Sequence, residues 1–232
     1  MMKRYLAYMF MLAAVLSAVR VDAQDRDWAK VRYYEKQNQI LMRQPVPENR
    51  VVFMGNSITE NWARIHPDFF AENGYVGRGI SGQASYQFVV RFRTDVINLK
   101  PKVVIINAGT NDIAENSGPY NEDYTFGNIV SMVELAEVNG IEVILSSVLP
   151  AASFGWRPSV TGAPGKIKAL NARIKAYAES KRIPYVDYYS QLLADDGKSL
   201  NPNYTEDGVH PIAAGYDVME RLVKQAIDEI LK

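Results

Sequence analysis

Apolar residues in this chain come in two alternating textures. Short unbroken runs, Val51-Val52-Phe53-Met54 and Val103-Val104-Ile105-Ile106 above all, are separated by longer stretches in which apolar positions recur every three or four residues. A run apolar on both faces reads as a parallel strand buried on both sides, and the three-to-four spacing reads as helix. Strands are therefore predicted over residues 51–54, 75–80, 102–108, 141–148 and 184–189. Helices are predicted over residues 26–42, 84–99, 122–139, 163–182 and 213–231, with a short helical segment between the first two strands. In the first helix Trp28, Val31, Tyr34, Ile40 and Leu41 are the expected buried stripe, and Pro45 and Pro47 end it. Strands alternating with helices imply a parallel five-stranded sheet covered on both sides, a three-layer α/β/α domain. Functional loops in such sheets lie beyond the carboxyl ends of the strands. Ser57 follows the first strand, Gly82 the second and Asn111 the third, while His210 follows the fifth. All four should converge on one edge.

Residues 1–23 depart from the pattern. Lys3 and Arg4 precede an apolar run over residues 5–19, and Val21-Asp22-Ala23 offers an A-x-A-like cleavage site before Gln24. The run is shorter than the ~20 residues of a membrane span, and Arg20 closes it. The expectation is an export signal over 1–23, a single domain over 24–232, and a periplasmic or secreted product with no stable membrane association. Cysteine is absent, so the chain can form neither a disulfide framework nor a lipid-modified N-terminal cysteine. Lys+Arg and Asp+Glu both total 26, leaving no charge excess to attract nucleic acid.

The chemistry-bearing residues cluster in three short motifs: Gly55-Asn56-Ser57-Ile58-Thr59, Gly109-Thr110-Asn111-Asp112 and Asp207-Gly208-Val209-His210. A serine hydroxyl attacks carbonyl carbon only when a neighbouring base takes its proton. Ser57, at a strand-to-helix turn, is a candidate nucleophile; taken alone it reads more readily as a helix cap, and the other motifs reverse that preference. The chain has two histidines, and His66 precedes Pro67 in an early loop, which leaves His210 as the candidate base. Asp207, three residues before it, can fold back through Gly208 and orient the imidazole. Gly82, through its backbone N–H, and Asn111, through its amide, are candidate oxyanion donors. With two distant histidines and no cysteine, no metal site is expected, and no cofactor. Gly77-Arg78-Gly79-Ile80-Ser81-Gly82 matches a dinucleotide fingerprint, but it follows the second strand, and the position ~20 residues on carries Lys102 rather than an acid.

Four blocks now stand in order: Gly55-Asn56-Ser57-Ile58-Thr59, Arg78-Gly79-Ile80-Ser81-Gly82, Gly109-Thr110-Asn111-Asp112 and Asp207-x-x-His210-Pro211. Together they resemble the blocks of the SGNH (GDSL-like) hydrolase superfamily over residues 51–211, nearly all of the expected mature chain. The resemblance implies a flavodoxin-like fold, Ser57 as nucleophile, His210 as base and Asp207 as orienting acid. It also implies an oxyanion hole of Ser57 N–H, Gly82 N–H and the Asn111 amide. Asn56 stands where the family name has Asp, as in members that resemble platelet-activating-factor acetylhydrolases and carbohydrate acetylesterases. A short-acyl, acetyl-type esterase acting on a small-molecule or glycan ester is the reading this favours. A lysophospholipase or thioesterase of the same superfamily is the alternative, and a non-catalytic glycan-binding domain the alternative from another class. The loop over residues 151–164 carries Phe154, Trp156 and Arg157, which read equally as one wall of the substrate site or, for Trp156, as a cover over the neighbouring helices.

Overall fold

Five parallel strands form the centre: β1 (Val51–Gly55), β2 (Tyr75–Gly79), β3 (Val103–Ile106), β4 (Glu142–Ser146) and β5 (Tyr185–Val186), in the order β2-β1-β3-β4-β5. The structure is a computed structural model that describes residues 27–232; the predicted export segment, 1–23, lies outside the described residues. The helices are α1 (Glu35–Arg43), α2 (Ser57–Ile65), α3 (Pro67–Asn73), α4 (Ser85–Asp95), α5 (Thr110–Ile113), α6 (Glu122–Val138), α7 (Ala163–Lys181), α8 (Tyr188–Leu192) and α9 (Ala213–Leu231).

The two-residue period of the strands divides the core. Val52, Met54, Val104 and Ile106 face one way and pack with Phe88 and Phe92 of α4, Met132 of α6 and Leu170 of α7. Val51, Phe53, Val103 and Ile105 face the other way, with Trp62 of α2, Phe70 of α3, and Tyr216 and Met219 of α9. Every residue of β1 and β3 is buried, as their unbroken apolar runs require. This is the three-layer α/β/α sandwich read from the sequence pattern. The Trp62 ring stacks on Phe69 and Tyr216, at centroid distances of 5.6 Å in both cases, and Tyr216 donates its hydroxyl proton to the Ile58 carbonyl at 2.8 Å. Those contacts lock the start of α9 to the start of α2.

Three elements differ from the sequence expectation. The first helix begins at Glu35 rather than residue 26, because the Asp27 carboxylate takes the N–H groups of Val31 and Arg32, both at 2.8 Å, in a series of turns. Its expected apolar stripe does not hold either. Trp28 and Ile40 are exposed, and the residue that α1 buries is Asn38, which donates to Asp95 Oδ1 at 2.7 Å and accepts from Arg78 Nε at 3.0 Å. The α4 segment stops at Asp95 and finishes as a 3-10 turn over Ile97–Leu99. The fifth strand shrinks to two residues because Asp187 caps α8, accepting from Ser190 N at 3.0 Å.

Arg91 is the largest fully buried side chain. Its guanidinium donates to Gln83 Oε1 at 2.6 Å, Asp95 Oδ2 at 2.9 Å and the Gly55 carbonyl at 2.9 Å. Removing it strands a buried carboxylate without its cation, a loss of roughly 3–5 kcal/mol. Arg91→Ala should accordingly lower the urea midpoint by that equivalent; a shift within the scatter of surface variants would show that the cluster carries no such weight.

Candidate active site

Ser57 owes its exposure to the residue before it. Asn56 is the N-cap of α2 and accepts the Ile58 N–H at 2.9 Å. The capping duty that a serine in this turn could have taken is thus already met, and Ser57 stands at the first helical position with its hydroxyl free for another partner. That partner is His210: Ser57 Oγ lies 2.9 Å from Nε2. His210 Nδ1 lies 2.6 Å from Asp207 Oδ2. A carboxylate facing Nδ1 requires the proton there, which leaves the Nε2 lone pair toward the serine hydroxyl.

The Asp207 turn is knitted by its own backbone. Asp207 Oδ1 accepts the N–H of Val209 at 2.9 Å and of His210 at 2.7 Å, and Thr205 Oγ1 donates to the His210 carbonyl at 2.7 Å. Gly208 sits at φ 79°, a left-handed conformation that lets the turn close. Partial burial would raise the Asp207 pKa, but the hydrogen bonds from His210 and Val209 outweigh it and hold the carboxyl below its usual range.

Gly82 and Asn111 lie on the neighbouring loops, as the strand order requires, since β2 and β3 flank β1. The β2 end can approach α2 only because Gly79 has no side chain; a Cβ there would sit 2.2 Å from Glu60 N and 2.6 Å from the Asn56 carbonyl. Beyond it, Ser81 donates both its N–H, at 2.8 Å, and its hydroxyl to Glu60 Oε2. Burial presses the Glu60 pKa up, but the bonds from Ser81 and Tyr33 more than offset it and hold the carboxyl low. Asn111 Nδ2 spends one proton on the Gln83 carbonyl at 2.9 Å, and its Oδ1 accepts from Asn116 Nδ2 at 2.9 Å. The second Nδ2 proton remains. Among the described residues, the backbone N–H groups of Ser57 and Gly82 also have no hydrogen-bond acceptor.

Trp156 is close to the histidine, with ring centroids 5.9 Å apart and 43% of the side-chain-bearing residue exposed. Its Nε1 donates to Asn116 Oδ1 at 2.8 Å, and Arg157 Nη2 donates to the Asn116 carbonyl at 3.2 Å. Phe154, expected in the same wall, is instead fully buried against Trp156 from below, with ring centroids 5.4 Å apart. Asn116 is the residue that sequence reasoning missed. It joins Asn111 to Trp156, yet no spacing marks it, because both partners reach it only through the fold. Asp112 was also missed as a support: it accepts Ser85 Oγ at 2.6 Å and Ser85 N at about the same reach as a normal bond, and burial pushes its pKa up.

His66 lies at the far end of α2 from Ser57 and pairs with Glu220 at 2.7 Å. With Asp217 it forms the only His/Asp/Glu group among the described residues whose ligand atoms come within 4.8 Å of one another. Glu220 Oε1 also accepts Trp62 Nε1 at 2.9 Å, so the group reads as a clasp between α2 and α9.

Residues 53–218 match the GDSL-like Lipase/Acylhydrolase family, a span that holds Ser57, Gly82, Asn111, Asp207 and His210. The chain belongs to that family. By family, this domain is a carboxylic ester hydrolase. A GDSL-like lipase from Bacteroides thetaiotaomicron is 60% identical, with TM-score 0.84 over 88% of this chain and 99% of its own. Axe2, an acetylxylan esterase from Geobacillus stearothermophilus, is 21% identical with TM-score 0.59 over 78% of this chain and 94% of its own, and shares the fold. Among curated proteins, the Multidomain esterase of Ruminococcus flavefaciens is 27% identical over 57% of this chain, and the Bacillus subtilis lipoprotein YqeF 36% identical over 56%. The matched segments cover 16% and 61% of those two proteins, so this chain corresponds to a part of each.

The low Asp207 pKa has a consequence for stability. A carboxyl whose folded pKa lies below its unfolded value of ~3.9 contributes stability above that value and loses it as pH falls through the folded pKa. The Tm gap between the wild type and Asp207→Asn should therefore be full at pH 6 and narrow steadily below about pH 4. A gap that stays constant down to pH 2.5 would contradict the depressed pKa.

Proposed function

We propose that the chain is a serine esterase that removes short acyl groups, acetyl first, from carbohydrate esters. The observation that carries the mechanism is the relay from Ser57 Oγ to His210 Nε2 at 2.9 Å and from His210 Nδ1 to Asp207 at 2.6 Å. In this reading Ser57 Oγ attacks the ester carbonyl carbon while Nε2 takes its proton. Asp207 stays ionised and stabilises the imidazolium. The carbonyl oxygen, now an oxyanion, meets the N–H groups of Ser57 and Gly82 and the spare Asn111 proton, the three donors with no protein acceptor. Collapse of the tetrahedral centre breaks the bond to the sugar oxygen, which takes the proton from Nε2. Water then attacks the acyl-Ser57 ester by the same route, releasing the acid and restoring the serine.

Support for a sugar on the leaving-group side comes from Trp156, a half-exposed indole beside the His210 ring and held by Asn116. Indole faces suit the apolar faces of pyranose rings. Axe2, which shares the fold, is an acetylxylan esterase. Export is part of the proposal and is supported by the basic and apolar pattern of residues 1–23 and by the lipoprotein designation of the Bacillus relative.

Ser57→Ala should remove essentially all hydrolysis of 4-nitrophenyl acetate, on the order of 10⁶-fold in kcat, as deletion of a triad nucleophile does. Retention of a tenth of the rate in a clean preparation would sink the mechanism. Asn111→Ala should lower kcat by about 10²–10³-fold with little change in KM, because an oxyanion donor acts on charge that develops in the transition state; a change confined to KM would make Asn111 a substrate-binding residue. Across a chain-length series of 4-nitrophenyl esters, activity should peak from acetyl to butyryl. A maximum near ten carbons, where each buried methylene adds roughly 0.8 kcal/mol, would move the assignment to a lysophospholipase or thioesterase.

A further inference from the structure

Beside the loops that carry Gly82 and Asn111 lies a cavity of about 180 Å³. Its walls are the start of α4, the segment over residues 117–121 and the first turns of α6, with Tyr86, Tyr120, Tyr124, Asp112 and Asn128 among the lining side chains. It shares its border with the site: Ala84 and Asp112, both in the lining, are two residues and one residue along the chain from Gly82 and Asn111. Nothing in the mechanism above uses it.

Three features fix what it would take. The first is size: about 180 Å³ admits one small ring, whereas sites for drug-sized ligands run roughly 300–1,000 Å³. The second is the aromatic surface. Tyr124 is 75% exposed on the first turn of α6, which Asn121 caps by accepting the Tyr124 N–H at 3.0 Å. Tyr86 is stacked on Trp28, with ring centroids 5.5 Å apart and planes inclined by 26°, so the aromatic surface continues outward beyond the cavity. An aromatic as exposed as Tyr124 adds nothing to the core. The third is the polar floor. Asp112 is already held by Ser85, through its hydroxyl at 2.6 Å and its N–H at 3.0 Å, whereas the buried Tyr120 hydroxyl has no hydrogen-bond partner among the described residues. Asn128 uses its Nδ2 on Ser85 Oγ at 2.9 Å, and among the described residues no donor reaches its Oδ1. The cavity therefore offers an amide oxygen and a phenol hydroxyl in need of partners, beside faces suited to stacking.

An acyl chain would meet that floor badly, since covering an unpaired amide oxygen and phenol hydroxyl with methylenes supplies neither with a partner. A sugar ring supplies both an apolar face and hydroxyl donors. We infer that this cavity is a second sugar subsite, holding the pyranose next to the acylated one, so that the enzyme acts on oligosaccharide rather than on single acylated sugars. The inference rests on the carbohydrate reading proposed above and extends it: with Trp156 beside His210 and Tyr86 and Tyr124 at the cavity, the chain of the glycan would run across the loops that carry Gly82 and Asn111.

The test compares kcat/KM of the wild type, Tyr124→Ala and Tyr86→Ala on acetylated xylotetraose, acetylated methyl xyloside and 4-nitrophenyl acetate. The inference expects the tetrasaccharide to be preferred over the methyl xyloside. It also expects each substitution to cut the tetrasaccharide-to-methyl-xyloside ratio about three- to tenfold, the worth of one stacked ring. A tetrasaccharide and a methyl xyloside cleaved equally well, with ratios untouched by either substitution, would overturn the subsite while the carbohydrate reading stands. Hydrolysis of 4-nitrophenyl acetate with neither glycan deacetylated would overturn both. A Tyr124→Ala variant whose altered property is the chain-length profile on 4-nitrophenyl esters would make the cavity an acyl pocket and overturn the subsite. Because Tyr124 is exposed, its loss does not put folding at risk, and Tyr86→Ala provides the second, independent reading.

Discussion

One buried guanidinium holds the loops of the site in register. Arg91 donates to the Gly55 carbonyl, immediately before Asn56 and Ser57, and to the Gln83 side chain, immediately after Gly82. The Gln83 carbonyl in turn accepts the Asn111 amide. The loops after β1, β2 and β3 thus share one hub, and the spacing among their donors follows from it. Burying a cation this completely costs several kcal/mol unless it is paired and fully hydrogen-bonded. Asp95, four residues along the same helix, supplies the charge at 2.9 Å. Burial pushes the Arg91 pKa down, and the pairing with Asp95 pulls against it. The same network extends through Asn38, which touches both Asp95 and Arg78. Burial lowers the Arg78 pKa to about 10.

The histidine is positioned by a different part of the core. His210 precedes α9, and α9 is tied to α2 by the Trp62–Tyr216 stack, the Tyr216 bond to the Ile58 carbonyl, and the clasp of His66 and Trp62 on Glu220. Ser57 opens α2. Ser57 and His210 therefore stand at the starts of two helices of one face, fastened by aromatic packing and the Glu220 clasp, while the loops of Gly82 and Asn111 are fastened by the polar hub on the other face. Rigid elements under a site hold its geometry better than loops alone can. The two fastenings differ in kind, one mainly aromatic and the other built on a buried ion pair, and they meet at the Ser57 turn, where Arg91 holds the Gly55 carbonyl.

How much of this could be read from the sequence depends on whether the signal is local. The buried strands β1 and β3 are legible because burial on both faces demands an unbroken apolar run. Helix α9 is legible to the residue, since its apolar face recurs through Tyr216, Met219, Val223 and Ile227. The motifs around Ser57, Asn111 and His210 are legible because each packs its chemistry into a few neighbouring residues. Arg91, Glu60, Asp112 and Asn116 were not legible. Their partners lie 36, 21, 27 and 40 residues away in the bonds to Gly55, Ser81, Ser85 and Trp156, and nothing in a charged or amide residue on a helix or in a loop announces a distant partner. Phe154 misled for the converse reason, because an aromatic in a loop reads as a wall even when it fills the core.

The first helix shows the same principle at its strongest, and there the failure of periodicity is itself informative. Residues 28–38 are attached by hydrogen bonds rather than by an apolar stripe. Gln83 Nε2 donates to the Ala29 carbonyl at 2.7 Å, and Gln87 Nε2 to the Trp28 carbonyl at 2.8 Å. Tyr33 donates to Glu60 at 2.6 Å, and Tyr34 to the Gly79 carbonyl. Every one of these partners belongs to β2, the Gly82 loop, the start of α4 or the start of α2. A segment held by hydrophobic contact tolerates small slides; one held by several directional bonds does not. The segment that a helical period predicted badly thus acts as a strap across the back of the Gly82 loop. Its Tyr34 ring lies 4.6 Å from the Arg78 guanidinium and joins it to the polar hub. The order of the Gly82 loop, and with it the placement of the Gly82 N–H, is set from outside the sheet as well as from within.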